Sequence, residues 1–273
     1  MATTGLPPEL DADIDRVTEA LAMITPRWHV KIMVALGGPP LRYSDLASRL
    51  PYLRPGQLHP KLQTLCHAGL VLRTEHTARH VTYEITDRGA TLLAILPEIA
   101  SWAERHLEPS TRPITAVEQV EDGLALLARR HATAALWALK ARGAASGTSL
   151  AATVMPDHHP SAIYPTLRQL REDGLVHLAA TRHRYQLSIA GGSLGPVFSA
   201  VSAWSAGKPA NAAHHTLWGR ARPAVPASTR APRHSRQAAP TTLPPTRWRH
   251  RELFSHPTAT ALAASLPAGN PHR

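Results

Sequence analysis

Residues 58–71, LHPKLQTLCHAGLV, lie over residues 163–176, IYPTLRQLREDGLV, without a gap; they share the apolar positions, a proline in third place and a closing Gly-Leu-Val. The match extends on both sides. Upstream, LAMITPRWHVKIMVAL at 21–36 aligns with LALLARRHATAALWAL at 124–139. Downstream, Tyr83-Glu84-Ile85-Thr86 pairs with Tyr185-Gln186-Leu187-Ser188, and Trp102 with Trp204. The offset drifts only between 102 and 105 residues, with the shifts in predicted loops. The chain therefore reads as a duplicated module of about 90 residues.

Each copy predicts helix, helix, turn, helix, two strands and helix. Thr25-Pro26 is a helix-start signal, and Trp28, Ile32, Met33 and Leu36 recur at helical spacing until Gly37-Gly38-Pro39-Pro40 ends the run. Ser44 can cap a short helix carrying Leu46 and Leu50, Pro51-Tyr52-Leu53 is a turn, and the next helix buries Leu58, Leu62 and Leu65 and stops at Gly69. A tight helix-turn-helix results. Pro60 and Pro165 look like faults in the third helix, where an interior proline costs about 3 kcal/mol. With Gly56 and Ser161 as N-caps, both prolines fall at the fourth helical position, whose N–H has no intrahelical acceptor. That register exposes Gln57, His59 and Lys61 in the first copy, and Ser161, Tyr164, Thr166 and Arg168 in the second.

Val71 and Arg73, then Val81, Tyr83 and Ile85, alternate as an antiparallel hairpin whose loop holds Glu75, His76, Arg79 and His80. The second hairpin is shorter, with Arg182, His183 and Arg184 near its turn. A basic two-stranded wing beside a third helix suits double-stranded DNA: the helix enters the major groove while the wing touches flanking phosphates. Gln57, His59 and Lys61 are candidates for base edges, Arg54 for a base or a phosphate, and Arg73 and Arg79 for phosphates. Ser161, Tyr164, Thr166, Arg168, Arg182 and Arg184 are their counterparts in the second copy.

These residues carry a family resemblance. From about Asp15 to His106 the chain resembles the HxlR-type winged helix-turn-helix regulators of bacteria, through Arg27-Trp28, Arg42-Tyr43-Ser44-Asp45-Leu46, Leu62-Gln63-Thr64-Leu65, Gly69-Leu70-Val71, Tyr83-Glu84-Ile85-Thr86 and Trp102-Ala103. The second copy is similar to both HxlR and PadR regulators, through Ile163-Tyr164-Pro165-Thr166-Leu167 and Glu172-Asp173-Gly174-Leu175-Val176. The resemblance implies DNA binding, transcriptional control and dimerisation through terminal helices. It also implies an N-terminal sensor cysteine, but the aligned position here is Asp15. Cys66 lies on the third helix without a resolving partner and reads as packing, with a lone redox-responsive thiol as the alternative.

Charge is unevenly placed. Of a formal net charge of +11, residues 206–273 hold nine Arg and one Lys against Glu252 alone, so residues 1–205 are nearly neutral. After Trp204 apolar periodicity stops, and a Pro/Ala/Arg-rich composition predicts a disordered basic tail in which Trp218, Trp248 and Phe254 could stack on bases. One cysteine rules out an intramolecular disulfide and any multi-thiolate zinc site. No apolar run approaches the roughly 18 residues that span a bilayer, and the acidic start MATTGLPPELDADID is unlike a signal peptide, so a cytoplasmic, nucleoid-associated protein is expected. Gly191-Gly192-Ser193-Leu194-Gly195 fits the G-x-S-x-G elbow, yet Glu252 is the only carboxylate side chain downstream. Seventeen histidines form no HExxH-type ligand set. Neither an enzyme nor a cofactor is expected.

The expected fold is mainly α with small β wings: a winged helix-turn-helix domain at 1–107, a linker at 108–114 holding Pro109 and Pro113, a second winged domain at 115–205, and the tail at 206–273. Thr115-Ala116-Val117-Glu118 is a capping-box signature opening the second domain. The two modules should pack as an intrachain pseudo-dimer through the Trp102 and Trp204 helices and the helices at 14–22 and 117–127, with further homodimerisation open. The expected function is a DNA-binding transcriptional regulator; the alternative is a winged-helix assembly module with little specific DNA binding.

Overall fold

Proline at the first position opens α1 (Pro8–Ile24), whose Ile14, Val17, Leu21 and Ile24 recur at helical spacing and are buried. The computed structural model describes residues 5–77, 79–108, 114–180, 183–209 and 214–220, all within the unit that ends at Gln237. After α1 come α2 (His29–Ala35), the short strand β1 (Leu41–Arg42), α3 (Tyr43–Arg49), α4 (Pro55–His67), β2 (Val71–Thr77), β3 (His80–Ile85), α5 (Asp87–Leu93) and α6 (Leu96–His106). A like succession follows: α7 (Ala116–Leu127), α8 (Ala132–Arg142), α9 (Gly147–Val154), a 3-10 turn (Pro160–Ile163), α10 (Tyr164–Glu172), β4 (Val176–Leu178), β5 (Tyr185–Leu187), α11 (Ile189–Gly192) and α12 (Gly195–Ser205). The chain is mainly helical, with small antiparallel sheets ordered β1-β3-β2 and β4-β5.

Local chemistry recurs at matching places. Trp28 and His131 both enter their helices in the left-handed region, at φ 80° and 60°. Gly69 and Gly174 follow α4 and α10 at φ 67° and 70°, which lets Leu70 and Leu175 donate back to the carbonyls of Leu65 and Leu170 at 3.0 and 2.9 Å. Thr86 Oγ1 accepts the Gly89 N–H at 3.0 Å and donates to Gly69 O; Ser188 Oγ does the same with Gly191 and Gly174. A Cβ at Gly89 or Gly191 would run into the carbonyl of Leu70 or Leu175, so only glycine fits these two first turns.

Several expectations need correction. Helix α2 starts at His29 rather than at Thr25, because Trp28 takes a positive φ before it. Ser44 does not cap α3; Arg42 holds that place and Ser44 Oγ bonds Asp45. The third helix starts earlier than Gly56, with Arg54 at the N-cap and Pro55 at N1, which puts Pro60 in the helix interior. In the second copy a 3-10 turn intervenes, Ser161 lies inside it, and Pro165 sits at the permissive second position of α10. Asp87-Arg88-Gly89-Ala90 opens a short helix after the wing. The first wing is three-stranded: Leu41 and Arg42 pair with Tyr83 and Thr82, on a strand too short to show alternation.

The packed chain also continues past residue 205. Strands β6 (His214–His215) and β7 (Gly219–Arg220) form a hairpin against α12, and Trp218 is buried beside Trp137 and Phe198 at centroid distances of 5.1 and 4.8 Å. Trp218 is thus a core residue rather than a base-stacking one. The lack of apolar periodicity around it in sequence hid this. The rest of the basic tail, with Trp248 and Phe254, and the linker prolines Pro109 and Pro113 lie outside the described residues.

One layer gathers α1, α6, α7 and α12. Trp102 on α6 is fully buried and its indole N–H donates to Ala190 O at 3.0 Å; Trp204 on α12 is buried and donates to Arg88 O, also at 3.0 Å. Helices α6 and α7 approach closely over Gly123, where a Cβ would meet Ile99 at 3.1 Å. Thr115 and Glu118 form the expected capping box at the start of α7.

A buried polar knot ties the hairpin to α1. The Asp13 carboxylate accepts from His215 Nε2 at 2.6 Å, Ser202 Oγ at 2.7 Å and Arg16 at 2.9 Å. His215 Nδ1 accepts the N–H groups of Leu217 and Trp218, so the ring carries its proton on Nε2. Burial alone would raise the Asp13 pKa; the hydrogen bonds from His215 and Ser202, with the charge of Arg16, outweigh it and hold the carboxyl below its ordinary value.

Trp218→Ala is expected to lower the unfolding free energy by about 3 kcal/mol, read from the urea midpoint; an unchanged midpoint would mean that the hairpin does not pack in solution. Because the folded pKa of Asp13 is depressed, its contribution is complete above the ordinary value of 3.8 and is lost as pH falls through the folded value. Asp13→Asn should therefore flatten the loss of stability in acid, and an acid profile identical to the parent chain's would contradict the knot.

Candidate nucleic-acid interface

Helix α4 buries Leu58, Leu62 and Leu65. At 100° per residue the opposite face falls on Gly56, Pro60, Gln63, Thr64 and His67, all exposed. Arg54, Gln57 and His59 are exposed at its start. Gln57 is partly occupied there: its Oε1 accepts the Arg54 backbone N–H at 3.4 Å. Lys61 is half-buried and lies at the edge of the apolar face, where its charge helps keep the buried His29 below its ordinary pKa, after burial itself. Starting the helix two residues late had pointed attention at its first turns. Gln63 and His67 were missed, although their spacing from Pro60 was a readable signal.

Tyr43 OH donates to Pro55 O at 2.8 Å and so braces α3 against the start of α4. On the adjoining sheet Arg79 is exposed at the turn between β2 and β3. Arg73 is exposed but ion-paired with Glu75 on its own strand. Arg42, also exposed, faces Thr82 in the register of β1 and β3 and lowers the pKa of nearby His80, after desolvation. It completes a basic edge that a two-stranded reading could not place.

The second half is less basic where it matters. On α10, Arg168 is exposed with Glu172 one turn on, Tyr164 is exposed and packed on Gly147, and Thr166 is half-buried. Ser161 is exposed and bonds His159. Arg184 is exposed before β5, and Arg182 lies outside the described residues. Arg129 is ion-paired with Asp173 at 2.9 Å.

Ser193 of the G-x-S-x-G turn donates to Ala190 O and lies 2.7 Å from His106 Nε2, joining α6 to the end of α11. Among the described residues no cluster of three His, Cys, Asp or Glu could hold a metal ion, and no helix is long and apolar enough to cross a membrane.

Comparison with known proteins gives a consistent picture. Residues 23–111 match the HxlR-like helix-turn-helix family. The chain is 32% identical over 85 residues to the uncharacterized HTH-type transcriptional regulator YdzF of Bacillus subtilis, covering 30% of this chain and 78% of that protein. It is 32% identical over 97 residues to YvaP of the same organism, covering 35% and 90%, and 32% identical over 91 residues to YtfH of Escherichia coli, covering 33% and 72%. No solved structure matches the chain.

Cys66, on the half-buried flank of α4, has its thiol pushed up by burial, with Arg73 opposing weakly. Only a few per cent of even a free thiol is ionised at neutral pH. Cys66 should therefore react with iodoacetamide at pH 7 more slowly than free cysteine. A faster reaction would instead mark a sensor thiol.

Proposed function

The chain belongs to the HxlR-like helix-turn-helix family of transcriptional regulators, and on that premise we propose that it binds double-stranded DNA through two unequal winged halves held as a pseudo-dimer within one chain. One observation carries the DNA reading: α4 has no acidic residue, its outward face is polar, and the sheet beside it exposes Arg42 and Arg79. Helix α4 enters the major groove, with Gln57, His59 and Gln63 at base edges, Arg54 on a base or phosphate, and Lys61 at the margin. Arg42, Arg73 and Arg79 meet flanking phosphates. Glu75 competes for Arg73, so Arg79 and Arg42 carry more of that work.

The exchanged indole hydrogen bonds support the pseudo-dimer: each half sends a buried tryptophan to the carbonyl at the matching place in the other. Residues 1–107 form one reader, and residues 115–205 the other, with the 214–220 hairpin as its strap. Ser161, Tyr164, Thr166 and Arg168 are the second reading set, with Arg184 beside its wing and Arg182 two residues earlier in sequence. Since α4 and α10 differ, the half-sites differ too, about one helical turn apart. Further homodimerisation is not needed. Residues 221–273, with eight arginines, add non-specific affinity through counterion release. The protein would then act at the nucleoid.

A second reading, in which the second half serves assembly, is favoured by the acids around α10: Glu172 follows Arg168 and Asp173 holds Arg129. Mass in solution and footprint symmetry separate the two. The pseudo-dimer predicts a monomeric chain protecting an asymmetric site, whereas a dimer of chains on a perfect palindrome would assign the second half to assembly.

Gln63→Ala should relax base preference, since a bidentate contact is worth about 1 to 3 kcal/mol of discrimination, while Arg79→Ala should weaken specific and random DNA alike. Equal losses on both DNAs for both variants would refute this division. Truncation after Arg220 should flatten the salt slope and keep sequence preference; loss of all preference would place the reading elsewhere.

A further inference from the structure

In the first half, the corner between the start of α2 and the turn after α3 is filled by rings. Trp28 stacks on Tyr52 at 5.0 Å, and Lys31 lies over both. In the second half, His131 takes the left-handed position of Trp28, and the turn after α9 is Pro156-Asp157-His158, with no aromatic carbocycle. A cleft of about 530 Å³ occupies that corner, within the size range of small-molecule sites. Ala132, Met155 and Leu170 line it with carbon, Arg130 and His158 stand exposed at its edge, and Thr166 and Gln169 of α10 form one wall.

Two arginines and two histidines line it, beside the Thr166 hydroxyl and a Gln169 amide whose N–H is taken by Asp173. Arg129 is held by Asp173, but Arg130 has no ion pair among the described residues. His131 Nε2 is buried and finds no hydrogen-bond partner among them, a state that costs about 1 to 3 kcal/mol unless something supplies one. No side chain caps α8, and no acid lies in its first turn, so the positive end of the helix also faces this corner. Burial, then Arg130 and His158, lower the His131 pKa, leaving a neutral ring that can donate from Nε2.

We propose that this cleft binds a small organic carboxylate with a compact apolar body, its anion between Arg130 and His131 and its body on Met155 and Leu170. A bare anion would leave the carbon lining wet. A neutral apolar molecule would leave Arg130 and the buried Nε2 unanswered. The site takes its ligand whether or not α10 meets DNA, so its failure is separable from failure of the DNA reading.

The full chain, without DNA, would be titrated calorimetrically at pH 7 with benzoate, phenylacetate and hexanoate, and with 2-phenylethanol and acetate as controls. At least one of the three should bind saturably at one site, with both controls about tenfold weaker or more. Arg130→Gln should weaken the bound carboxylate about tenfold, and Ala162→Phe, which fills the cleft, should abolish binding. The control ligands need no variant, so the comparison stands even where a variant fails to fold. The proposal is overturned by no saturable binding tighter than about 1 mM, by equal affinity for 2-phenylethanol, or by undiminished binding in a folded Arg130→Gln protein. Loss of DNA affinity in Arg130→Gln, with no carboxylate binding to the parent chain, would assign the cation to phosphate backbone and overturn it as well.

Discussion

The exchange of two tryptophan hydrogen bonds is the constraint on which the rest of the architecture hangs. A buried indole N–H gains by finding an acceptor, and Trp102 and Trp204 both find theirs off their own helices: Trp102 reaches Ala190, and Trp204 reaches Arg88. Both acceptors lie on short helices whose first turns are held down by Gly89 and Gly191 against the carbonyls of Leu70 and Leu175. Those carbonyls directly follow the glycines that stop α4 and α10. The position of each third helix is thereby linked, through a glycine turn and an indole, to the opposite half.

The Asp13 knot adds a second tie of a different kind. It joins α1 to α12 and to the hairpin that carries Trp218, and it does so with a carboxylate whose bonding partners are all polar side chains. Removing one partner of such a buried set leaves the others unsatisfied, which costs more than the bond itself contributes. The hairpin is therefore part of the second half's core rather than an appendage.

Between the two halves the same plan serves different chemistry. Helix α4 is free of acids and stands beside exposed arginines, whereas α10 shares its outward face with Glu172 and its neighbour Asp173 binds Arg129. Where the first half fills a corner with Trp28 and Tyr52, the second leaves a cleft edged by Arg130 and His158. Packing between the halves asks only for the buried face of each helix, so their outward residues are free to differ.

Periodic and local signals were legible from residues alone. The Leu58, Leu62, Leu65 spacing, the stopping glycines Gly69 and Gly174 and the Thr115 capping box each depend on neighbours within one turn, and each appears where the sequence places it. So does the family, because its motif is a string of such local features. What tertiary structure decided lay in pairings with no local signature. Strand β1 is two residues long and exists only because β3 lies beside it, and Trp218 is buried only because α12 and Trp137 receive it. The cleft beside His131 is likewise a space between distant segments, and space is not written in any one of them. Sequence determines what each segment prefers over a turn or two, while long-range contact decides which preference is kept and which side chain is left facing out.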